Sequence, residues 1–545
     1  MQNTDNKMHY GNLKKIYGTI LKYTFSFFIT MITIRTTNNI KYALISLTEL
    51  MIIASLSDLV LKKKRIWGIV LNDILVLIYN IQMAMLFYGN TYILLVMLTN
   101  IASLKDLSGK ALSYGIGIIS VLIFSFIPIR RIRYHDNEWA LKTLSCGLAA
   151  ELFATLLFGN MFSPLFATYE LGIQKYAQTK LQNSLISEEN LTTEFLKGGI
   201  NDYRTKCSDI AERPNVILIF TEGLSQNIID DKRNIMPNIS DLQSKSLNFI
   251  GYYNHTFATY RGLIGQLYSG YQLNNLDTNT LISIPDIFNG LQYSTAFINT
   301  EPINAQFTEY LNSLGFSEVI GNAAMPHSGI ADSLSDKEAY ELLFETITQK
   351  ADSENPFLVA IYTFGTHASF DSKDKIYGNG SNRLLNKFYD LDYQFGEFIN
   401  KFNASSLSDD TIIIFTTDHA TYADNDYVNS FSENIRYNTM LDQIPFLIYY
   451  KGITPETIDA DGRNSLDFAP TVLDYLDISA PNYFLGESLF VQKQNNNTYD
   501  TVFEVEGKFL DTDGKNISEL SDIKRDIIEK QVKKYFIAKT QSTKD

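Results

Sequence analysis

The sequence predicts a bundle of membrane-spanning helices followed by an α/β domain with a mostly parallel sheet. Apolar residues are dense before about residue 160, in runs close to the roughly 20 residues that cross a bilayer. Beyond it, short apolar runs alternate with helical patterns, which is typical of βαβ units. We expect an anchor over residues 1–160, a connector over 161–212, the α/β domain over 213–493 and a C-terminal tail over 494–545.

The anchor contains five apolar runs of near-spanning length, and a shorter run at 92–101 is predicted to be re-entrant or interfacial. The five lie at residues 16–34, 42–61, 67–88, 112–129 and 139–158. Basic clusters lie at 62–65 and at Arg130, Arg131 and Arg133. Both clusters lie on the cytoplasmic side of the membrane if the chain starts in the cytoplasm and crosses the membrane five times. The positive-inside rule then delivers everything after residue 160 to the extracytoplasmic face. We expect no paired charges within these spans, unlike the ion pathway of a transporter.

The α/β domain is predicted from short apolar runs at residues 216–220, 295–298, 357–362, 411–415 and 446–450. Such runs indicate strands buried on both faces, as in a parallel sheet. Helical patterns lie between them at 237–246, 263–269, 337–350, 384–402 and 467–476, and the tail predicts a hairpin or edge strand at 501–510 and a charged helix at 518–538. Ligands bind beyond the carboxyl ends of strands in such sheets, so reactive side chains should follow the apolar runs.

Polar side chains do follow three of these runs. Glu222 comes after the first, His367 after the third, and Asp418 and His419 after the fourth. Taken singly, a carboxylate after a strand often caps the next helix, and an Asp-His pair occurs by chance. Their coincidence at three strand ends predicts a site.

A hydroxyl from Thr256 or Thr259 comes just before a predicted helix. Helix N-termini present free N–H groups and a positive dipole, which suit phosphate. One threonine with Glu222, Asp418 and His419 would form a mixed oxygen and nitrogen site for one divalent cation. A cation at a hydroxyl promotes its ionisation and neutralises phosphate charge, and a covalent phospho-threonine intermediate would split transfer into two displacements.

The negative net charge of −14 argues against general nucleic-acid binding.

Six motifs follow one another in an order that resembles a known family. They are the strand 215–222 with its acid, Met236-Pro237-Asn238-Ile239, Thr259 with Gly262-Leu263, Leu334-Ser335-Asp336, Thr417-Asp418-His419, and Asp467-Phe468-Ala469-Pro470-Thr471 with Gly486-Glu487-Ser488-Leu489. Over about residues 213–490 they resemble the lipoteichoic acid synthase and phosphoglycerol transferase branch of the alkaline phosphatase and sulfatase superfamily. The resemblance implies an alkaline phosphatase/sulfatase-like fold.

The resemblance also implies roles for individual residues. Glu222, Thr259, Asp418 and His419 would bind the metal ion, with Thr259 also the nucleophile. The Gly262-Leu263 spacing favours Thr259 over Thr256. His367 would contact the substrate phosphate or protonate the leaving group, and Arg261 would steady phosphate or form a surface ion pair. Mn²⁺ or Mg²⁺ is favoured because three of the four ligands are oxygens, with Zn²⁺ as the alternative.

The implied function is transfer of a phospholipid head group to an extracytoplasmic glycan or polymer at the cell membrane. Phosphatidylglycerol, an anionic donor, is favoured over a zwitterionic donor such as phosphatidylethanolamine. Thr259 lacks the proline two residues later that sulfatases need, and the domain has at most Cys207, where phosphoethanolamine transferases usually carry disulfides. Residues 299–304 lack the Arg and Trp of lipoteichoic acid synthases. Phosphoethanolamine transfer, phosphodiester hydrolysis and an inactive membrane scaffold remain alternatives.

Overall fold

The computed structural model describes residues 2–37, 39–99, 110–130, 137–185, 190–204, 206, 210–276, 279–321, 328–329, 332–367, 370–434, 436, 438–491, 499–505 and 507–541. The chain divides into two compact units. The first comprises Met1–Ile101, Lys110–Ala177 and Ala423–Asn429, and the second comprises the rest. Arg131, Arg133, Cys207 and the end of the apolar run at 92–101 lie outside the described residues.

The N-terminal part of the chain is helical. Its helices are α1 (Gln2–Thr37), α2 (Ile40–Lys63), α3 (Arg65–Gly89), α4 (Leu95–Thr99), α5 (Ala111–Ser125), α6 (Asn137–Phe158) and α7 (Pro164–Asn183). Among the described residues, four segments are long and apolar enough to cross a membrane: Tyr17–Thr37, Ile40–Lys63, Arg65–Gly89 and Glu138–Phe158. They correspond to four of the five predicted spans. The remaining span, predicted at 112–129, forms the shorter apolar helix α5 of 15 residues.

An ion pair connects two of these apolar helices, so the expectation of spans without paired charges is wrong. Lys22 Nζ of α1 lies 2.5 Å from Asp73 Oδ1 of α3, and the Lys22 side chain is fully buried. The two residues are 51 positions apart. Their pairing depends on how α1 packs against α3, which the composition of either helix alone does not reveal. Pairing stabilises charges that would otherwise be costly among apolar helices.

The remaining chain alternates short helices and strands. The helices are α8 (Thr192–Phe195), α9 (Gln226–Ile229), α10 (Pro237–Gln243), α11 (Thr259–Tyr268), α12 (Ile284–Gly290), α13 (Ala305–Asn312), α14 (Asp336–Ala351), α15 (Arg383–Asn403), α16 (Asn425–Ser430), α17 (Phe468–Tyr475) and α18 (Asp522–Ala538). The strands are β1 (Asn215–Thr221), β2 (Leu247–Ile250), β3 (Ser294–Ile298), β4 (Glu318–Ile320), β5 (Phe357–Thr363), β6 (Thr411–Thr417), β7 (Phe446–Tyr449), β8 (Glu456–Asp459), β9 (Val502–Val505), β10 (Lys508–Thr512) and β11 (Ile517–Glu519).

A mostly parallel sheet is the centre of the second unit. Within the described residues, eight strands form it in the order β4-β3-β5-β1-β6-β7-β2-β8. The five predicted strands are all present. One of them, β7, is not parallel to its neighbours but runs antiparallel to both β6 and β2. The sequence prediction missed three short strands, β2, β4 and β8. β1 lies between β5 and β6 and is parallel to both, so the carboxyl ends of these three strands are adjacent.

Helices cover both faces of this sheet. Ile219 of β1 is opposite Phe415 of β6, so Phe220 and Phe415 point to opposite faces, because side chains alternate along a strand. The ring of Phe415 packs against Phe395 of α15 at 5.2 Å between centroids. The ring of Phe220 packs against Phe468 of α17 at 5.5 Å. The predicted α/β domain with a mostly parallel sheet is therefore confirmed.

The C-terminal tail follows its predicted pattern. β9 and β10 form an antiparallel hairpin, which β11 extends into a three-stranded sheet. The predicted charged helix is α18. The tail is tied to the α/β domain, since the Tyr271 hydroxyl donates to the carbonyl oxygen of Val502 at 2.7 Å.

Candidate metal and nucleophile site

The predicted polar residues meet at one edge of the sheet. Glu222 follows β1, His367 follows β5, and Asp418 and His419 come directly after β6. These three strands are neighbours and parallel, so their carboxyl ends open onto one crevice.

Glu222, Asp418 and His419 form a compact buried cluster. Their ligand atoms lie within 4.8 Å of one another. His419 Nε2 is 3.5 Å from Glu222 Oε1 and 3.4 Å from Asp418 Oδ2. His419 Nδ1 is 2.7 Å from the carbonyl oxygen of Ala420. A neutral imidazole with its proton on Nδ1, donated to that carbonyl, would direct the Nε2 lone pair between the two carboxylates, as metal binding requires.

Thr259 is the first residue of helix α11. Its hydroxyl donates to Glu222 Oε2 at 3.1 Å. Ala258, immediately before it, has a φ of +82°, a value that costs a non-glycine residue conformational energy and often occurs at functional sites. This turn brings the helix N-terminus and the hydroxyl to the cluster, where the helix dipole favours negative charge.

Gly262 allows the helix to approach the end of β6. A Cβ atom at this position would lie 2.1 Å from the carbonyl oxygen of Asp418. A side chain there would push α11 away and carry Thr259 with it. The threonine–glycine spacing in the sequence is thus explained by the close contact between helix α11 and the residue that follows β6.

Thr256 and Arg261 occupy different environments from Thr259. Thr256 is 1% exposed, and among the described residues its hydroxyl makes no hydrogen bond, whereas Thr259 is half-buried at the cluster. Arg261 is also 1% exposed, so the alternative of a surface ion pair is wrong.

His367 lies on a loop that several contacts fix in position. The Thr366 hydroxyl donates to the carbonyl oxygen of Glu222 at 2.5 Å, and the Gly365 N–H donates to Asp336 Oδ1 at 3.1 Å. The buried Lys387 ammonium donates to the carbonyl oxygen of His367 at 2.9 Å. The loop after β5 is thereby tied to β1, α14 and α15, and the imidazole lies near enough for its charge to act on Glu222.

The buried carboxylates of the cluster favour binding of a cation. Burial, together with the nearby charge of Glu222, raises the pKa of Asp418 to about 7. Burial also opposes ionisation of Glu222. In the metal-free protein the two carboxylates raise the pKa of His419, and the charges of His419 and His367, with hydrogen bonds from Tyr362 and Thr259, hold the pKa of Glu222 below its usual value. Asp418 Oδ2 is buried and has no hydrogen-bond partner among the described residues. Two carboxylates, one imidazole and a hydroxyl fit a divalent cation, for which this oxygen is a ready ligand.

Other motif residues contribute to the framework. Asn238 and Ile239 donate their backbone N–H groups to Asp392 at 3.0 and 2.8 Å, which caps the start of α10. Ser335 caps α14 through a capping box with Glu338. The residues of the closing motif include Asp467, which forms a fully buried ion pair with Arg463 at 2.7 Å.

Two contacts of the cluster were missed from the sequence. The hydroxyl of Tyr362 forms a hydrogen bond with Glu222 Oε2, and the ring of Phe257 packs against His419 at 4.4 Å between centroids. Tyr362 lies within an apolar run that predicted only a buried strand. The strand-end rule could have found it, since it is the penultimate residue of β5.

The α/β domain that contains this site matches a known protein-family model. Residues 214–478 match the protein-family model described as Sulfatase, so the match lies within the α/β domain. No curated protein sequence matches the chain.

Solved structures share this fold. A protein in the alkaline phosphatase superfamily from Vibrio parahaemolyticus aligns with a TM-score of 0.51 and 20% identity, over 63% of this chain and 89% of that one. The integral membrane protein lipooligosaccharide phosphoethanolamine transferase A (EptA) from Neisseria meningitidis aligns with a TM-score of 0.51 and 14% identity, over 86% of this chain and 94% of that one. The lipoteichoic acid synthase LtaP from Listeria monocytogenes aligns with a TM-score of 0.49 and 19% identity, over 64% and 97%. The EptA alignment confirms the architecture of membrane helices followed by a sulfatase-like domain.

Proposed function

We propose that this protein is a metal-dependent transferase that moves a phospholipid head group to an extracytoplasmic glycan or polymer. The donor is an anionic phospholipid, with phosphatidylglycerol favoured, and the group transferred is glycerol phosphate. The protein lies in the cell membrane as a multi-pass chain, with its sulfatase-like domain outside the cytoplasm. The observation that carries this proposal is the hydrogen bond from Thr259 to Glu222, beside Asp418 and His419.

The cation is held by Glu222, Asp418, His419 and the hydroxyl of Thr259. Mn²⁺ or Mg²⁺ suits three oxygen ligands and one nitrogen better than a thiolate-preferring metal, and Zn²⁺ is the alternative. When bound, the cation would promote ionisation of the Thr259 hydroxyl and neutralise charge on the phosphate. Asp418 Oδ2 supports this assignment, because it has no hydrogen-bond partner among the described residues and faces His419 Nε2 at 3.4 Å.

Transfer proceeds in two displacements. Thr259 Oγ1 attacks the phosphorus of the donor, the bond from phosphorus to the diacylglycerol oxygen breaks, and His367 supplies the proton that this oxygen gains. Thr259 releases its own proton to water in this step. A hydroxyl of the acceptor then attacks the phospho-threonine and gives its proton to His367, which restores that residue. The bond from phosphorus to Oγ1 breaks, and Thr259 Oγ1 takes a proton from water. The N-terminus of α11 favours the negative charge of the phosphoryl group throughout.

Phosphoethanolamine transfer is the second candidate. The fold of EptA, named as a phosphoethanolamine transferase, extends over most of this chain including its membrane helices. Residues 299–304 also lack the Arg and Trp expected for a lipoteichoic acid synthase. Both candidates use the same residues and differ in the head group. The intact set of four site residues supports an enzyme over an inactive scaffold.

Purified full-length protein in vesicles of head-group-labelled phosphatidylglycerol or phosphatidylethanolamine tests the proposal. With Mn²⁺ present, we expect diacylglycerol release from phosphatidylglycerol and transfer of label to an added glycan. Release from phosphatidylethanolamine alone would establish the second candidate. Label released only to water, with and without glycan, would indicate a hydrolase. If neither lipid is consumed with Mn²⁺, Mg²⁺ or Zn²⁺, the enzymatic proposal is wrong.

A further inference from the structure

Tyr362 is brought to the metal-binding acid by the register of the sheet. Tyr362 of β5 is paired with Phe220 of β1. Glu222 is two residues beyond Phe220, so its side chain emerges on the same face of the sheet as Tyr362. The Tyr362 side chain is buried, and its ring packs against Phe307 of α13 at 5.6 Å between centroids. The phenol therefore approaches Glu222 from a fixed direction.

The two oxygens of Glu222 have different partners. Oε2 accepts hydrogen bonds from the hydroxyls of both Tyr362 and Thr259. Oε1 lies 3.5 Å from His419 Nε2, within the cluster. With Oε2 held by two donors, rotation of the carboxylate is restricted, and Oε1 is directed at the position that a cation shared with Asp418 and His419 would occupy.

Two other buried tyrosines of this domain donate their hydroxyls to backbone carbonyls. Tyr271 donates to the carbonyl oxygen of Val502 at 2.7 Å, and Tyr310 donates to that of Tyr260 at 2.6 Å. A buried phenol usually finds a hydrogen-bond partner, and a backbone carbonyl serves these two, whereas the buried hydroxyls of Tyr252 and Tyr340 have none among the described residues. Tyr362 instead bonds a carboxylate of the cluster, a contact that mere burial of the ring does not require.

We propose that Tyr362 is a positioning residue that holds Glu222 with one oxygen directed at the cation. This inference rests on the proposed function, because it takes Glu222 as a metal ligand. It also assigns Tyr362 a role during transfer. Once Thr259 carries the phosphoryl group, it has no proton to donate to Glu222. Tyr362 is then the donor that keeps the carboxylate in place beside the added negative charge.

Mn²⁺ binding to the full-length protein in detergent tests this inference without any lipid substrate. Free Mn²⁺ is followed by electron paramagnetic resonance for wild type, Tyr362→Phe, Tyr362→His and the matched control Tyr271→Phe. We expect Tyr362→Phe to bind Mn²⁺ about 10- to 100-fold more weakly, the usual effect of removing a group that orients a metal ligand. Tyr362→His, which retains a ring N–H donor, should lose less, and Tyr271→Phe should bind as wild type does.

The outcomes separate this inference from the proposed function. Wild-type affinity in Tyr362→Phe, in a protein that binds Mn²⁺, would overturn the role of Tyr362 and leave the proposed function intact. Equal weakening in Tyr362→Phe and Tyr271→Phe would also overturn it, because the effect would then be structural. Absence of binding of Mn²⁺, Mg²⁺ and Zn²⁺ alike by wild type would overturn both proposals. Should Tyr362→Phe fail to fold, the comparison of Tyr362→His with Tyr271→Phe decides in the same way.

Discussion

Two clusters of buried charge in the α/β unit differ in how their carboxylates are hydrogen-bonded. The frame cluster is the pair Arg463 and Asp467, and the site cluster consists of Glu222, Asp418 and His419. In the frame cluster, Arg463 Nε lies 2.7 Å from Asp467 Oδ2, and Asp467 Oδ1 accepts from the N–H of Glu487 at 2.8 Å. In the site cluster, Asp418 Oδ1 accepts two backbone N–H bonds. Its Oδ2 has no hydrogen-bond partner among the described residues.

The difference shows how a framework and a site can be told apart. A buried carboxylate that is fully bonded and paired with a guanidinium contributes to a fixed arrangement, and removing one partner leaves an uncompensated charge. A buried carboxylate that has one oxygen without a hydrogen-bond partner and lies next to a second carboxylate is costly to ionise until a cation binds. The first cluster should therefore govern stability, and the second should govern metal binding.

The largest expected effect is on the nucleophile of the site cluster. Thr259→Ala should reduce transfer by about 1000-fold or more, because the reaction loses its covalent route. Thr259→Ser should retain measurable transfer, since it keeps the hydroxyl. The measurement is diacylglycerol release from the labelled donor lipid. Thr256→Ala is the matched control, and loss of transfer in that variant with retention in Thr259→Ala would reverse the assignment.

The two clusters should respond in opposite ways to removal of one charge. Asp467→Asn should lower the free energy of unfolding by about 3–5 kcal/mol, because Arg463 loses its closest partner. Asp418→Asn should leave the stability of the metal-free protein unchanged or raise it, while abolishing Mn²⁺ binding. Thermal unfolding of both variants in metal-free detergent solution measures this contrast. A large loss of metal-free stability in Asp418→Asn would remove the distinction between frame and site.

Gly262 tests whether the site depends on close packing of α11. A methyl group there meets the carbonyl oxygen of Asp418 at 2.1 Å, so Gly262→Ala should displace Thr259. Displacement of a reacting group by about 1 Å can cost on the order of 100-fold in rate. The activity of Gly262→Ala, compared with that of the same change at the open position Gly290, measures the effect. Equal activity in the two variants would show that the contact is unimportant.

The pH dependence of Mn²⁺ affinity should separate the site cluster from the frame cluster. In the metal-free protein burial raises the pKa of Asp418 to about 7, so below pH 7 a proton competes with the cation. The pKa of His419 is also raised by the two carboxylates, so a proton there competes as well, and affinity should rise at least about tenfold per pH unit up to about pH 7. Titrations between about pH 5.5 and 8.5 check this. Affinity that falls as pH rises would contradict the assignment of Asp418 as a ligand.

The sequence predicted the central strands and their polar residues because both signals are local. Apolar runs marked β1, β5 and β6, and the strand-end rule placed Glu222 and Asp418 at one edge. The role of Tyr362, the burial of Arg261 and the pairing of Lys22 with Asp73 depend on partners distant in sequence. A tyrosine inside an apolar run gives no local sign of which acceptor it will meet. Short strands such as β2 carry too few residues for a periodic pattern.

Mass spectrometry of the full-length protein after incubation with Mn²⁺ and head-group-labelled phosphatidylglycerol, without acceptor, tests the central claim most directly. A covalent transfer predicts labelled glycerol phosphate on the peptide that contains Thr259, lost in Thr259→Ala and when the metal is removed. Label on another residue, or an unmodified Thr259 peptide in a protein that releases diacylglycerol and is sampled at short times, would contradict the account.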